Sequence, residues 1–163
     1  GNGSSNCSSY SYCFKNEMSF ELVKERIKKH EGFRNTIYLD SLGKATIGYG
    51  HLVTKADNFI QGKEYSKEEL HDLFEKDFDN ACDQAITLVG GFNICEDSLG
   101  VVIEMVFQLG VGGVSKFKNM LEALKESDYA DAAVHMLASN WHKQTPQRCE
   151  ELAEVLRTCA DIN

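Results

Sequence analysis

His30-Glu31-Gly32, followed by Tyr38-Leu39-Asp40-Ser41-Leu42-Gly43-Lys44-Ala45-Thr46-Ile47-Gly48-Tyr49-Gly50-His51, is the stretch whose reading decides the fold. Upstream of it, Phe20, Val23 and Ile27 share one face of a helix that Ser19 can cap, and Gly32 stops that helix directly after Glu31. From Arg34 to His51 the pattern changes to aromatic and β-branched residues (Ile37, Tyr38, Thr46, Ile47, Tyr49) broken by Ser41-Leu42-Gly43-Lys44, which predicts a β-hairpin. Glu31 is thereby placed on a rigid helical terminus, Asp40 at the end of one strand and Thr46 on the next. Two carboxyl groups and a hydroxyl within 16 residues of chain are expected to face one cleft. The chemistry that needs such a set is hydrolysis of a glycosidic bond, in which one carboxylic acid protonates the leaving oxygen and a second group handles the attacking water.

Downstream the pattern is helical. Ser66-Lys67-Glu68-Glu69 is a capping box, and Leu70, Leu73, Phe74, Phe78, Cys82, Ala85 and Val89 keep helical spacing until Gly90-Gly91. Val101 to Leu109 reads as a buried helix closed by Gly110, Val114 to Leu124 as another, and Ala130 to Trp141 as a third. Thr145-Pro146 opens a last helix, with Thr as N-cap and Pro in the first turn. The expected fold class is α+β, mainly α, with a small N-terminal β-hairpin or sheet lobe over about 19–66, a long linking helix over about 67–89 and a helical C-terminal lobe over about 90–163. The cleft is expected between the lobes, and residues 1–18 as an extension, partly disordered or tied by disulfides.

The chain has 163 residues, 42% hydrophobic and 26% charged, enough for a real core. It contains no run of about 18 apolar residues, so no membrane span is expected. Cys7, Cys13, Cys82, Cys95, Cys149 and Cys159 lack CxxC or Cys/His clustering, which speaks against a metal site, and no cofactor is implied. Their even number fits disulfides formed in an oxidising compartment, with the pairing open; buried free thiols in a cytosolic protein are the alternative. Asn2 and Asn6 begin Asn-x-Ser sequons in a segment that resembles the processed end of a secreted protein. Residues 1–67 hold 10 Lys/Arg against 7 Asp/Glu, whereas residues 68–163 hold 7 against 18. No basic stripe with interleaved aromatics is present, so nucleic-acid binding has no support, and monomer is the default state.

Glu31 to His51, then Met105-Val106-Phe107-Gln108-Leu109-Gly110, then Ser139-Asn140-Trp141-His142-Lys143-Gln144-Thr145-Pro146-Gln147-Arg148, resemble in order and spacing the bacteriophage-type lysozymes of the T-even phages, glycoside hydrolase family 24. The resemblance runs from about Phe20 to Thr158 and implies a lysozyme-like two-lobed fold. It further implies a muramidase that cuts the β-1,4 bond between N-acetylmuramic acid and N-acetylglucosamine in peptidoglycan, with inversion. Carried over by position, Glu31 is the general acid, Asp40 the carboxylate that directs water and stabilises the positive sugar, and Thr46 the hydroxyl that helps hold that water. Glu31 should then keep its proton through partial burial, while Asp40 stays ionised. Carboxyl groups roughly 6.5–9.5 Å apart leave room for the water, and about 5–5.5 Å would favour a retaining route.

The same resemblance places Leu52 and Phe107 in sugar binding, with Gln108 lining the groove. At two further contact positions it finds Met120 where a serine is usual and His135 where an asparagine is usual. Trp141 is read as a buried core aromatic, and His51 as a structural histidine with Asp77 as its partner. A net charge of −8 departs from the basic phage enzymes and should repel anionic wall, which predicts an acidic pH optimum and a secreted, lysosomal or phagosomal setting in defence or digestion of bacteria. Two rivals remain: a lysozyme-like module that binds cell wall without cutting it, and a retaining or transglycosylating hydrolase.

Overall fold

The computed structural model describes residues 17–40 and 43–162. Cys7, Cys13, both sequons and most of the expected N-terminal extension lie outside the described residues. The elements run α1 (Glu17–Glu31), β1 (Arg34–Leu39), β2 (Ala45–Gly48), β3 (His51–Leu52), a 3-10 turn (Lys55–Asp57), α2 (Lys67–Leu88), α3 (Glu96–Ser115), α4 (Lys118–Lys125), α5 (Tyr129–Leu137), α6 (Asn140–Gln144) and α7 (Pro146–Ile162). The class is mainly helical with one small sheet, as the sequence predicts. By packing the chain separates into two compact units, Lys24–Asn80 and the stretch from Ala81 onward together with the start of α1.

In the unit Lys24–Asn80, the three strands form an antiparallel sheet in the order β1-β2-β3. Register pairs Tyr38 with Thr46, Thr46 with Leu52, and Ile47 with His51. Opposed residues on neighbouring strands share a face, so Tyr38, Thr46 and Leu52 line one side and Ile47 and His51 the other. The core of the unit holds Ile27, Ile47, Leu70, Phe74 and Phe78, each at most 2% exposed. The Tyr49 ring meets Phe74 at 5.3 Å and Phe33 at 5.0 Å, and the Lys28 ammonium lies 5.2 Å above Phe74. Ser66 caps α2 as expected, its hydroxyl accepting the Glu69 N–H at 3.1 Å. Ser19 does not cap α1, which already begins at Glu17; amphipathic packing of Val23 and Ile27 carries the helix past that local signal.

In the other unit α7 packs against α3, α5 and α6. Its inward residues Cys149, Leu152, Ala153, Leu156 and Cys159 recur at helical spacing and are at most 1% exposed. α3 is long and apolar enough to cross a membrane by length and composition, and its residues from Ser98 to Val106 are buried in this core. Within that apolar run Glu104 is fully buried, and Arg148 of α7 donates to it from Nε at 2.8 Å. Gly110 breaks the helical path with φ +77° and ψ 158°, where the sequence places a helix end.

Two expected helices are each interrupted. The stretch from Val114 to Leu124 turns at Lys116 and Phe117, because Phe117 swings inward to meet Trp141 at 6.0 Å between ring centres. The stretch from Ala130 to Trp141 ends at Leu137, and Ser139 starts a new helix by accepting the His142 N–H on its hydroxyl. Cys95, at the N-cap of α3, is joined to Cys159 of α7 by a disulfide. Cys149 is buried, and burial, with the nearby Glu150 charge, pushes its thiol up to about 12.

Candidate active site

Glu31 is the last residue of α1, and the helix ends there for a local reason: Gly32 takes φ +72° and returns its N–H to Lys28 O at 2.9 Å. The half-buried Glu31 side chain then lies against the backbone at Gly50. A Cβ on Gly50 would stand 2.7 Å from Glu31 Cδ, and Gly50 has φ +78°, so both space and backbone require glycine at this point.

Asp40 sits where β1 leaves the sheet. Its backbone N–H donates to Lys44 O at 2.9 Å, and its Oδ1 accepts the Lys44 N–H at 2.9 Å. The carboxylate is therefore held by the turn it opens. Thr46, only 2% exposed, donates its hydroxyl to Lys44 O at 2.9 Å. Its oxygen lone pairs remain the means by which it could accept a hydrogen bond. Leu52, cross-strand from Thr46, is 46% exposed, an apolar side chain offered to solvent beside it.

Tyr38, on the same sheet face as Thr46, was not anticipated as a site residue. Burial first, and then the negative charge of Glu31, push its phenol upward; Arg34 opposes this and Asp40 adds to it. The Arg34 guanidinium lies 4.8 Å from the centre of the Tyr38 ring. Tyr38 thus stands within electrostatic reach of both candidate carboxylates. The signal for it was present in the β1 alternation, which puts Tyr38 and Asp40 on the same strand face.

On the opposite face His51 is clasped by two carboxylates. Nδ1 lies 2.7 Å from Asp77 Oδ2, and Nε2 lies 2.9 Å from Asp57 Oδ2. The Asp77 partner was expected; Asp57 was not, and it is brought in by the 3-10 turn, where it also accepts the Thr54 N–H at 2.8 Å. Burial works to lower the His51 pKa, but hydrogen bonds to Asp77 and Asp57 and their charges outweigh it, and the net displacement is upward. Burial likewise works to raise Asp57, yet the bonds from His51 and Thr54 hold it below the usual carboxylate range.

The remaining expected site residues lie in the other unit. Phe107 is half-buried on α3. Gln108 uses its amide internally, accepting from Trp141 Nε1 at 3.0 Å and donating to Thr145 Oγ1 at 3.5 Å. Thr145 in turn donates to Trp141 O, so this trio fixes the indole, which is 3% exposed. Met120 and His135 meet at one cavity of about 580 Å³, which Lys116, Phe117, Lys118 and Trp141 also line. Met120 is fully buried and backs that cavity from within the core. His135 reaches it while its Nε2 lies 3.1 Å from Asp131.

The family description Phage lysozyme matches residues 28–157. Among curated proteins, the chain is 33% identical to "Probable T4-type lysozyme 2" of Dictyostelium discoideum, over 83% of this chain and 94% of that one. It is 31% identical to "Probable T4-type lysozyme 1" of the same organism, with the same coverage. It is also 28% identical to "Peptidoglycan hydrolase gp36" of Pseudomonas phage phiKMV, over 78% of this chain and 14% of that protein.

Proposed function

The chain belongs to the phage lysozyme family of glycoside hydrolases, and from that premise we propose that it is an endo-acting muramidase cutting the β-1,4 bond between N-acetylmuramic acid and N-acetylglucosamine in bacterial peptidoglycan. In this reading Glu31 protonates the departing oxygen, Asp40 orients water and offsets the positive charge of the sugar, and Thr46 accepts a hydrogen bond from that water. Leu52, Phe107 and Gln108 serve substrate binding, Gln108 by fixing Trp141, and Met120 and His135 do so at their cavity.

The observation that supports it most is the contrast between the two carboxylates. Glu31 ends a helix, at the negative pole of its dipole, pressed on backbone that has no side chain. Asp40 is held by a backbone N–H in an open turn. Different surroundings for two carboxyl groups are what an acid and an ionised partner require.

The test is lysis of suspended bacterial walls by the parent, Glu31→Gln and Asp40→Asn, run from pH 4 to 9. Each variant should lose at least about 100-fold in rate while still sedimenting with walls, and the parent's rate should peak in acid. Undiminished lysis by Glu31→Gln would reject the assignment. Parent protein that binds walls without cutting them would favour the non-catalytic module. The anomer released first separates inversion from retention. The Cys95–Cys159 disulfide supports an oxidising compartment, and with it a secreted or phagosomal role against bacteria.

A further inference from the structure

An acidic chain has to approach an anionic wall, and one stretch of it is not acidic: residues 24–67 carry 9 Lys/Arg against 5 Asp/Glu in a chain of net charge −8. Of those carboxylates, Glu31 and Asp40 belong to the candidate site and Asp57 is held by His51, which leaves Glu25 and Glu64 against the surplus of cations. Part of that surplus is gathered in one place within the unit Lys24–Asn80. The Lys67 ammonium lies 5.9 Å from the centre of the Phe33 ring, Phe33 meets Tyr49 at 5.0 Å, and Lys28 lies 5.6 Å from the centre of Tyr49. The segment before α2 joins this row, since Tyr65 donates its N–H to Asn35 O at 3.0 Å beside β1, and Lys63 lies 4.9 Å from the centre of the Tyr65 ring. Lysines and aromatic rings from α1, β1 and the loops beside them thus alternate along one surface, a row that no contiguous stretch of the sequence displays.

Phe33, Lys63 and Lys67 are exposed, while Lys28, Tyr49 and Tyr65 are half-buried. Among the described residues neither Lys63 nor Lys67 is ion-paired, so each ammonium rests on a ring with N–H donors open to an incoming anion. Lys28 has Glu25 at 3.5 Å, and Glu64 uses one oxygen to accept from Asn35 Nδ2 at 3.4 Å. Glu68 and Glu69 follow Lys67 in α2 but leave the helix about 100° and about 200° around from it. A ring that holds an ammonium in place lowers the entropy cost of pairing it with an anion. Such a row suits a flexible chain in which negative groups alternate with small carbon links, the charge on the lysines and a link on Phe33. A neutral glycan leaves the ammonium groups unused. Carboxylates of the stem peptide begin to take up protons in the acid range where this chain is expected to work, whereas a phosphodiester stays ionised there. We propose that this face is a docking surface for the polyol-phosphate polymer of bacterial walls, separate from the residues assigned to the glycan, and that it holds an acidic enzyme on an anionic wall by raising its local concentration there; the choice of a wall polymer rests on the muramidase reading above.

The experiment titrates the full chain calorimetrically, at about pH 5 and low salt, with a soluble glycerol-phosphate polymer, and repeats the titration with poly-glutamate, a thymidine oligonucleotide and vesicles that contain an anionic lipid. The parent should bind the glycerol-phosphate polymer about 3- to 10-fold more tightly than K63Q/K67Q does, and the difference should vanish near 0.5 M salt. K63R/K67R keeps both charges and should bind as the parent does. Both positions are exposed, and the salt dependence and the comparison of polymers use the unaltered chain, so folding of a variant does not limit the result. Equal affinity of parent and K63Q/K67Q overturns the proposal, as does tighter binding of poly-glutamate, the oligonucleotide or the vesicles. A parallel assay sediments Glu31→Gln with intact walls and with walls freed of polyol phosphate. About 3- to 10-fold less protein should follow the stripped walls, and equal sedimentation removes the docking surface while leaving the hydrolase standing. Failure of the parent to cut any glycan removes the hydrolase reading, while the calorimetry still decides whether this face takes polyol phosphate.

Discussion

Replacing Gly50 by alanine puts one methyl group where the proposed acid now rests. The added Cβ would lie 2.7 Å from Glu31 Cδ and 3.1 Å from Cγ. Carbon atoms settle about 3.5–4.0 Å apart, so the carboxyl group must retreat by about 1 Å. Left-handed backbone adds about 1–2 kcal/mol for a residue with a Cβ, which in a chain of this size lowers the melting temperature by about 2–8 °C. A displacement of about 1 Å at a reacting group costs on the order of 100-fold in rate. Gly48→Ala separates the two effects. Gly48 has φ +66°, so it carries the same backbone cost, but its Cβ would meet only Leu70, at an ordinary 3.5 Å. Both variants should therefore melt lower by similar amounts. Assayed on bacterial walls well below either transition, Gly48→Ala should stay near the parent rate and Gly50→Ala should fall about 100-fold. Equal rates for the two variants would refute the placement of Glu31 as the proton donor.

The His51 cluster makes a prediction whose sign follows from its two displaced groups. His51 is raised, so its contribution to stability is complete below its unfolded value of 6.5 and is lost as pH rises through the folded value. Asp57 is lowered, so its contribution is present above 3.8 and is lost as pH falls through its folded value. Asp77→Asn should therefore cost most in mild acid, about 1.5–3 kcal/mol near pH 5, and less toward pH 9; a loss independent of pH, measured by thermal melting, would contradict this. The Cys95–Cys159 bond spans 64 residues, and loop-closure entropy assigns such a crosslink about 4 kcal/mol. The double variant C95A/C159A should melt about 6–15 °C below the parent, and a drop under about 2 °C would show that the crosslink adds little.

What was legible in the sequence was local. The stop at Gly32 follows from one residue's freedom to adopt positive φ, and the Ser66 cap from one hydroxyl and a backbone N–H three residues on. The change to aromatic and β-branched residues from Arg34 to His51 announced the strands that carry Tyr38 and Thr46, whereas the third strand and the pairing of Thr46 with Leu52 are set by register across the sheet. The break at Gly110 was equally visible. The turn at Lys116 and Phe117 was not, since Val114 to Leu124 keeps helical spacing on paper. It is the packing of Phe117 on Trp141 that overrides it.

The charged pairs that escaped detection are those in which one residue's meaning depends on another charge. Glu104 lies in a run of apolar residues and reads there as an anomaly; Arg148, 44 positions away, makes it tolerable by donating at 2.8 Å. Asp57 reads as a turn residue, yet the 3-10 turn carries it back to His51, which Asp77 approaches from α2. Spacing names the candidates for such pairs without choosing among them, because Coulomb energy depends on distance in space and on burial.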